Sequence, residues 1–503
     1  MSAAPQRLSS VADALAFLRA RATGRLRADS RQVAPGDGFI AWPGAVHDAR
    51  AFVADALARG AGACIVEARG AQAFDLPGPV AAIEGLQDAS GEIASAWLGV
   101  PSARLAVLAV TGTNGKTSSA WWLAHALCAL SKQELVAHAG CGLVGTLGLG
   151  VPPALQATGM TTPDPLCLQQ AFADFAAAGL GACAIEASSI GLAQARLAGT
   201  VVHTALFTNF TQDHLDWHAD MADYWRAKRA LFDWPGLAAA VVNVDDAQGA
   251  RLHQELEGRP GLDLWSVSLR GAARLMAQEI AHDGPGLAFT VVEGGGASAR
   301  LRTRLIGLFN VSNLLGVIAG LRTLGVSLAD AVRVCAALDP VPGRMQQIAR
   351  AGQPLVAVDY AHTPDALVQA LAALGPLAAE RGGQLWCVFG CGGERDAKKR
   401  PLMGAAAQRG ADRVLVTSDN PRGEDPRAIV HQILQGTIAS TRVQAEPDRA
   451  QAIAQAIAQA GAADVVLIAG KGHEDYQEVA GRRLPFDDMA HAQAALALRG
   501  GRA

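Results

Sequence analysis

An apolar, strand-like segment that runs straight into a glycine-rich turn constrains this chain more than any other feature. Residues 105–110 have the pattern of a buried strand, and the sequence TGTNGKT follows as residues 111–117. A strand, turn and helix in this order gather free backbone N–H groups around an anion, whereas an ordinary tight turn with an incidental lysine would not. The lysine can reach the terminal phosphates of a nucleotide, and the last threonine can bind Mg²⁺. The motif therefore predicts an ATP phosphate loop made of Gly112, Thr113, Asn114, Gly115, Lys116 and Thr117.

This loop is a shortened variant of the common phosphate-binding pattern. Val110 stands where that pattern has a glycine, five residues before Gly115. The strand, the turn and the helix nevertheless fall where the binding mechanism needs them, so the nucleotide interpretation is retained.

Polar clusters follow four apolar segments in the last third of the chain. In open α/β sheets, ligands bind beyond the carboxyl ends of the strands, so four such clusters predict a binding site. The predicted strands are residues 354–358, 385–389, 413–416 and 465–469, and the clusters that follow them are residues 359–362, 390–395, 418–422 and 470–474.

The length of 503 residues requires more than one hydrophobic core, and two to four domains are expected. Apolar runs at 182–187, 201–207 and 239–244 alternate with Ala/Leu-rich stretches, which predicts strand–helix units around a largely parallel sheet. The prediction is an α/β protein of three domains, with a small α/β domain at 1–102, an ATP-binding domain at 103–340 and a C-terminal domain at 341–503.

Composition and charge argue against several classes of function. The formal net charge of −3 is unlike that of a general nucleic-acid-binding protein, which normally carries a basic excess. We find neither the apolar core of a secretory signal nor an apolar run long enough to span a membrane. The eight cysteines lack paired metal-ligand spacing beyond a lone CxxxC at Cys387 and Cys391. We therefore expect a reduced, cytoplasmic protein that binds small molecules and does not insert into membranes.

Outside the loop, Glu186 is the leading candidate for a metal ligand, and His214 and Lys228 are weighed beside it. Glu186 lies at the end of the apolar run 182–187, and Mg²⁺ prefers hard oxygen ligands such as this carboxylate. His214 follows another apolar run, although an isolated histidine is more often structural. Lys228 taken alone is interpreted as a solvated helix residue.

The motifs taken together resemble those of the Mur ligase family. The segments TGTNGKT, EASS, TNFTQDHLDWH, AKRALF, DYAHTPDAL, FGCGGERD, SDNPR and GKGHE occur in this order along nearly the whole chain. The resemblance implies a UDP-sugar domain, a central ATPase of the phosphate-loop type and a C-terminal Rossmann-like domain for an incoming amino acid. It also implies a monomeric, ATP-dependent ligase that extends a UDP-linked peptidoglycan precursor and uses two Mg²⁺ ions.

The resemblance also implies roles for individual residues. Lys228 matches a lysine that is carbamylated to N6-carboxylysine in this family and then binds a second Mg²⁺. The implied metal ligands are Thr117, Glu186, His214 and Lys228, and with Lys116 the last three form the implied catalytic set. Ser118 and Asn310, with Asn313 beside them, are implied in ATP binding. The UDP moiety is assigned to Ser30, Ala45, Val46 and His47, and the muramoyl-peptide to Thr161, Thr162, Ser188, Gln194 and Arg196.

The incoming amino acid carries an ammonium and a carboxylate, so its site needs both an anion and a cation. meso-Diaminopimelate has a second such centre, whose carboxylate an arginine fork can bind in bidentate fashion, whereas L-lysine lacks that carboxylate. The segment SDNPR resembles the diaminopimelate-adding type, so we expect meso-diaminopimelate rather than lysine. The implied site is Arg395, Asp419, Asn420, Pro421, Arg422, Gly470 and Glu474.

The expected reaction joins this amine to the D-glutamyl γ-carboxylate of UDP-N-acetylmuramoyl-L-alanyl-D-glutamate through an acyl phosphate made with ATP. Lys116 and Mg²⁺ would offset the charge that gathers when two anions meet. No single residue is obvious as the base for the amine, and His362 and Glu474 remain open. Ile190 and Gln346 depart from the family pattern, which often has histidine and glutamate there.

Three alternatives stay open at this point. The same ligation could use L-lysine, or the chain could be a related ligase of the D-alanyl-D-alanine-adding or folylpolyglutamate-forming type. A nucleotide-switched regulatory protein without a product is the alternative from another class. A ligase would turn over ATP only when both the UDP-dipeptide and an amino acid are present. A nucleotide-switched protein would not need both, so this requirement separates the two classes.

Overall fold

A computed structural model describes residues 5–44, 47–134, 140–283 and 286–500. Within these residues the strands form sheets of 5, 11 and 6 strands and a separate two-stranded hairpin. Each of the three sheets has a hydrophobic core cluster on either face, because helices cover both sides. The expected α/β class is confirmed, with a small N-terminal domain, a central phosphate-loop domain with a largely parallel sheet and a C-terminal Rossmann-like domain.

The first sheet is parallel throughout and small. Its elements are β1 (Gln6–Arg7), α1 (Val11–Arg19), β2 (Leu26–Arg27), β3 (Gly38–Ala41), α2 (Val53–Ala58), β4 (Ala63–Glu67), β5 (Val80–Ile83) and α3 (Leu86–Trp97). The strand order is β1-β5-β4-β3-β2, with every pair parallel. Ser10 fixes the start of α1 by accepting a hydrogen bond from the Asp13 N–H, which satisfies a free helix donor.

The central domain contains the largest sheet. Its elements are β6 (Ala106–Thr111), α4 (Lys116–Lys132), β7 (Cys141–Gly145), β8 (Gly148–Val151), β9 (Ala154–Gln156), α5 (Pro165–Ala177), β10 (Ala182–Glu186), α6 (Ser189–Ala193), β11 (Thr204–Phe207), α7 (Met221–Arg229), β12 (Ala239–Asn243), α8 (Ala247–Leu256), β13 (Asp263–Ser268), β14 (Leu275–Asp283), β15 (Gly286–Glu293), β16 (Ser298–Thr303), α9 (Leu308–Thr323) and α10 (Leu328–Ala336). The order is β16-β15-β14-β13-β12-β11-β6-β10-β7-β8-β9.

The middle strands of this sheet are parallel and bring their carboxyl ends together. β10 and β11 flank β6 on either side. Leu108 and Val110 pack into one core and Val107 and Ala109 into the opposite one, as the alternation of a strand requires. The phosphate loop, Glu186 and the segment after β11 therefore meet at one edge.

The third sheet carries the four polar clusters. Its elements are β17 (Gln346–Ile348), β18 (Leu355–Asp359), α11 (Pro364–Glu380), β19 (Leu385–Phe389), α12 (Lys399–Gly410), β20 (Arg413–Val416), α13 (Pro426–Leu434), β21 (Val443–Ala445), α14 (Arg449–Gln459), β22 (Val465–Ala469), β23 (Tyr476–Val479), β24 (Arg482–Pro485) and α15 (Asp488–Gly500). The order is β17-β18-β22-β19-β20-β21, parallel except for β17. β23 and β24 form the separate hairpin.

Two details differ from the sequence-based expectations. The strand predicted over 201–207 starts only at Thr204, because Val201 is exposed and its N–H bonds to the Ser102 hydroxyl instead of a strand. The antiparallel strands β14–β16 at one edge of the central sheet were not predicted. No helix in the described ranges is long and apolar enough to cross a membrane.

Candidate active site

The phosphate loop connects β6 to α4 and depends on two glycines. Gly112 and Gly115 have φ angles of 143° and 86°, which side-chain-bearing residues rarely adopt. A Cβ at Gly112 would lie 1.9 Å from Thr208 Oγ1, and one at Gly115 would lie 2.5 Å from Asn313 Oδ1. No side chain caps the N-terminus of α4. The loop thus packs closely on its neighbours and leaves helix N–H groups for an anion.

Lys116 folds back over its own loop. Its Nζ donates to the carbonyl oxygens of Gly112 at 2.9 Å and Thr113 at 2.8 Å. Burial lowers the pKa of Lys116, partly offset by Glu186 and Asp213. The ammonium therefore lies at the mouth of the phosphate cradle.

Lys228 on α7 is fully buried, so the interpretation of this residue as a solvated helix position is wrong. Its Nζ donates to the Gly112 carbonyl at 2.7 Å and lies 4.3 Å from the centre of the Tyr224 ring. Burial, followed by the charge of Lys116, lowers the pKa of Lys228 well below its usual value, although Asp213 opposes the shift. The packing of α7 against the phosphate loop causes this burial, and the bare sequence carries no signal of it.

Glu186, the last residue of β10, is buried beside the phosphate loop. Thr117 Oγ1 donates to its Oε2 at 2.8 Å, and the Thr146 N–H donates to Oε1 at 2.7 Å. A Cβ at Gly145 would lie 2.3 Å from Oε1, so this approach needs glycine. The sequence analysis missed Thr146, whose position directly after the apolar run 141–145 could have indicated a strand end.

His214 and His362 approach the same carboxylate from different domains. Asp213 Oδ2 is 3.6 Å from His214 Nε2 and 4.0 Å from His362 Nε2. Burial, opposed by Asp213 and assisted by the charges of Lys116 and Lys228, lowers the pKa of His214 to about 4, so its imidazole is neutral at pH 7. His362 Nδ1 lies 2.8 Å from the Tyr360 carbonyl, which can only accept, so its Nε2 is the basic nitrogen.

Arg344 connects the C-terminal domain to the phosphate loop. Its Nη2 donates to Thr117 Oγ1 at 3.3 Å, and its guanidinium lies 4.4 Å from the centre of the Tyr360 ring. Asp359 fixes the segment beside it by accepting the Met345 N–H at 2.8 Å. The sequence analysis did not assign Arg344, although an arginine in the turn-rich stretch between two domains was the available signal.

Two cavities flank this junction. The first, of about 440 Å³, brings together the predicted nucleotide residues Asn114, Gly115, Ser118, Asn310 and Asn313 with Arg344 and Asp359. The second, of about 640 Å³, is lined by His214 and by six of the predicted amino-acid residues, namely Arg395, Asp419, Asn420, Arg422, Gly470 and Glu474. Pro421, in the same segment, does not line it. Tyr360 and Asp365 line both cavities.

The hairpin of β23 and β24 holds Arg422 in an unusual backbone conformation. Arg422 has a φ of 52°. Its N–H donates to the Glu478 carbonyl at 2.9 Å, and its carbonyl accepts from the Ala480 N–H at 2.7 Å. Nη1 donates to the Gly393 carbonyl at 2.7 Å, and Nε lies 3.6 Å from the Glu478 carboxylate. Both backbone and side chain of Arg422 are thus fixed before any substrate arrives.

A buried ion pair supports the strand ends below this site. Arg449 and Asp488 are inaccessible to solvent and form two hydrogen bonds of 2.8 and 2.7 Å. Arg449 also donates to the Ser418 carbonyl at 3.2 Å and the Ala469 carbonyl at 3.0 Å. It thereby ties the ends of β20 and β22 to α15.

The residues assigned to the muramoyl-peptide form one cluster beside Glu186. Thr162 Oγ1 donates to the Glu186 carbonyl at 2.7 Å, and Arg196 Nη1 donates to the Thr162 carbonyl at 2.6 Å. Burial lowers the pKa of Arg196, which Asp164 partly opposes. The cluster consists of Thr161, Thr162, Ser188, Gln194 and Arg196.

The residues assigned to the UDP moiety lie in the N-terminal domain, apart from this cluster. Ser30 is buried in a short 3₁₀ turn that begins after Asp29. His47 is exposed, and its carbonyl accepts from the Gly44 N–H at 2.9 Å. Ala45 and Val46 lie outside the described residues.

The side chains around the phosphate loop include donors that suit Mg²⁺. Thr117 and Glu186 offer adjacent hard oxygens, and the neutral His214 offers a free nitrogen lone pair. Across the described ranges, no three His, Cys, Asp or Glu side chains form a group that could hold a metal ion. Lys228 as an amine offers no oxygen. Thr117, Glu186 and His214 thus offer donors that suit Mg²⁺, and a carbamate on Lys228 would add the oxygen that the amine lacks.

Family models and relatives of known proteins match most of this chain. Residues 110–321 match the Mur ligase middle domain, and residues 343–472 match the Mur ligase glutamate ligase domain. A protein of Acidovorax sp. (strain JS42) named UDP-N-acetylmuramoyl-L-alanyl-D-glutamate–2,6-diaminopimelate ligase is 71% identical over 98% of both chains. A relative of the same name from Janthinobacterium sp. (strain Marseille) is 47% identical over 98% of this chain and 97% of its own.

A solved structure of a ligase with this name is also similar. It is 37% identical, covers 95% of both chains and superposes with a TM-score of 0.65. The chain belongs to the Mur ligase family.

Proposed function

We propose that this chain is an ATP-dependent ligase that joins UDP-N-acetylmuramoyl-L-alanyl-D-glutamate to meso-2,6-diaminopimelate in peptidoglycan precursor synthesis. The observation that carries the proposal is that the nucleotide cavity and the amino-acid cavity share Tyr360 and Asp365. A carboxylate activated by ATP in one cavity can therefore meet an amine held in the other. The 71% identity to a ligase of this name supports the same assignment.

The reaction proceeds in two steps. The D-glutamyl γ-carboxylate attacks the γ-phosphorus of ATP, which forms an acyl phosphate and releases ADP. The amine then attacks the acyl carbon, the amide bond forms and phosphate leaves with the bonding electrons. Lys116 and Arg344 lie beside the cradle and neutralise the charge that gathers there. His362 and Glu474 line the amino-acid cavity and can accept the amine proton.

Two Mg²⁺ ions would supply positive charge beside the phosphates when bound. Thr117, Glu186, His214 and carbamylated Lys228 are the residues that would hold them. The lowered pKa of Lys228 supports carbamylation, because only the neutral amine can add CO₂. This addition forms an N–C bond, releases a proton and turns the buried neutral amine into an anionic carbamate with oxygen ligands.

The amino-acid cavity supports diaminopimelate over lysine. Arg422 and Arg395 provide guanidinium groups, and Asp419 and Glu474 provide carboxylates. A substrate with two zwitterionic centres can pair with all of these groups, whereas lysine would leave an arginine without its carboxylate.

We further propose a cytoplasmic monomer with domains at 1–102, 103–340 and 341–503. Ser30 and the turn at 44–47 would bind the UDP moiety in the first domain, and the cluster around Thr162 would hold the muramoyl-peptide. The eight cysteines are free, as suits a reducing compartment.

The test is a product analysis. Purified protein is incubated with ATP, Mg²⁺ and the UDP-dipeptide, with meso-diaminopimelate or L-lysine in parallel, and products are identified by mass spectrometry. A UDP-tripeptide formed only with diaminopimelate is the expected result. Product only with lysine would overturn the choice of amino acid, and ATP hydrolysis without any product would overturn the ligase.

A further inference from the structure

Lys471 is a fully buried lysine to which the preceding mechanism gives no role. It lies at the carboxyl end of β22, and its side chain is inaccessible to solvent. Its Nζ donates to Asn420 Oδ1 at 3.0 Å and to Glu474 Oε2 at 3.1 Å, and it lies 5.5 Å from the centre of the Tyr476 ring. A buried ammonium requires such partners, because removing a charge from water is unfavourable without them.

The contact fixes the orientation of the Asn420 amide. Asn420 Oδ1 also accepts the Glu478 N–H at 2.9 Å, and only the oxygen of the amide can accept from two donors. The amide nitrogen Nδ2 must therefore point the other way, where it donates to Glu474 Oε2 at 2.7 Å. Lys471 and Glu478 together thus exclude the flipped amide.

The same contact also fixes Glu474. Its Oε2 receives hydrogen bonds from both Lys471 and Asn420. Among the described residues no donor bonds to its second oxygen, Oε1, and Glu474 lines the amino-acid cavity. A carboxylate oxygen that has no donor can accept a charge-assisted hydrogen bond from the ammonium group of a substrate.

We propose that Lys471 is a positioning residue for the amino-acid substrate. It holds Glu474 and Asn420 so that Glu474 Oε1 is presented to an incoming ammonium, and it sets the affinity for the amine without touching it. This inference rests on the proposed function, because it takes the second cavity as the amino-acid site. The buried pair of Arg449 and Asp488 differs, since Arg449 contacts backbone carbonyls and no substrate-binding side chain.

The experiment measures KM for each of the three substrates in Lys471→Met and in the control Lys398→Met. Lys398 is exposed in the same domain, and only its backbone N–H is used, by Asp396. We expect Lys471→Met to raise KM for the amino acid about 10- to 100-fold, since it removes a charged hydrogen-bond partner from the binding carboxylate. KM for ATP and for the UDP-dipeptide should stay within about twofold of the parent protein. The control should change none of the three.

A second measurement separates positioning from a purely structural role. In a Glu474→Gln background, adding Lys471→Met should raise KM for the amino acid much less than in the parent, because the two residues act together. Equal effects in both backgrounds, an unchanged amino-acid KM, or a parallel rise for all three substrates would each overturn the proposal. If the Lys471→Met protein fails to fold, Lys471→Gln takes its place, because glutamine retains a donor for Asn420 but no charge. Failure of both variants to fold would also overturn the proposal.

The parent protein provides the separate test of the proposed function. If the parent uses a different amino acid, the proposed substrate fails, and the KM ratio of variant to parent is measured with that amino acid. If the parent forms no product at all, binding of diaminopimelate is measured by calorimetry. A Kd unchanged by Lys471→Met would then overturn the inference.

Discussion

Lys116 and Lys228 donate hydrogen bonds to the same atom, the carbonyl oxygen of Gly112, at 2.9 and 2.7 Å. Two ammonium groups this close repel each other, and the more deeply buried one gives up its proton more easily. The direction of the pKa shift at Lys228 agrees with this, since burial and Lys116 both lower it. The packing of both lysines on the phosphate loop thereby favours loss of the proton from Lys228.

The first prediction concerns CO₂. Removing dissolved CO₂ should lower the activity of the parent protein, and adding bicarbonate should restore it, because the proposed ligand role of Lys228 depends on its carbamate. Lys228→Met should lower kcat by about 100-fold or more and abolish the bicarbonate response. Steady-state assays with and without bicarbonate check both points. Lys132→Met, at an exposed position of α4, is the control, and bicarbonate-independent activity in the parent would contradict the prediction.

The second prediction concerns substrate choice. Arg422→Lys keeps the charge but loses the planar fork, so kcat/KM with diaminopimelate should fall about 10- to 100-fold. The activity with L-lysine should change little, which lowers the discrimination between the two. Competition assays with both amino acids measure this ratio. The control is Arg427→Ala, at an exposed residue of α13, which should not change the ratio of diaminopimelate to lysine use. If Arg422→Lys also left this ratio unchanged, the guanidinium fork of Arg422 would have no role in substrate choice.

The third prediction concerns Glu186. Glu186→Gln keeps the shape and one carbonyl oxygen that can still accept the Thr146 N–H, so the fold should be retained. The lost negative charge should lower kcat about 100-fold or more and raise the Mg²⁺ concentration needed for half-maximal activity. Magnesium titrations of activity and melting curves provide the measurements. Glu257→Gln, exposed at the end of α8, serves as control, and a normal magnesium requirement in Glu186→Gln would remove this carboxylate from the metal site.

The fourth prediction concerns acid stability. Burial, with Arg344 and Lys471 nearby, lowers the pKa of His473 from 6.5 to about 4. As the pH falls, the His473 ring is therefore protonated in the unfolded chain before it is protonated in the folded protein. The stability that the neutral ring contributes is complete above pH 6.5 and is lost as the pH falls toward 4. His473→Asn should reduce the proton uptake on unfolding between pH 4 and 6.5 by about one proton. Melting curves across this range test it, with the exposed His431→Asn as a control that should change little.

The fifth prediction concerns the buried pair of Arg449 and Asp488. Arg449→Met leaves a carboxylate unpaired in the core and should lower the free energy of unfolding of the C-terminal domain by about 3–5 kcal/mol. Arg449→Met with Asp488→Leu should recover much of this loss, because no buried charge remains. Urea unfolding followed by tryptophan fluorescence is the measurement. Arg333→Met, which breaks an exposed pair with Asp330, should cost less than about 1 kcal/mol, and equal losses in both would contradict the argument.

Much of the site could be predicted because polar and charged residues directly after apolar, strand-like segments can be recognised in the sequence. The strands at 385–389, 413–416 and 465–469 begin and end where the apolar runs do. Parallel pairing then brings the clusters after them together without further information. The phosphate loop follows the same rule at the end of β6.

Other features depend on contacts between distant segments, which no local pattern encodes. The burial of Lys228 arises from the packing of α7 on the loop, and the contact of Arg344 with Thr117 joins two domains. Neither pairing has a periodicity or spacing that could have revealed it. The hairpin of β23 and β24 was likewise missed, because its residues are partly exposed and lack a clear apolar alternation.

That hairpin limits how the amino-acid preference of this enzyme can be re-engineered. Arg422 adopts a left-handed backbone conformation in which both its N–H and its carbonyl are hydrogen-bonded to the hairpin, at Glu478 and Ala480. If the 418–422 loop of another ligase were transplanted alone, it would therefore lack the hairpin contacts that fix its backbone. The loop and the hairpin therefore form one structural unit. Exchanging residues 418–422 together with 476–485 is the smallest replacement that should transfer a new amino-acid preference.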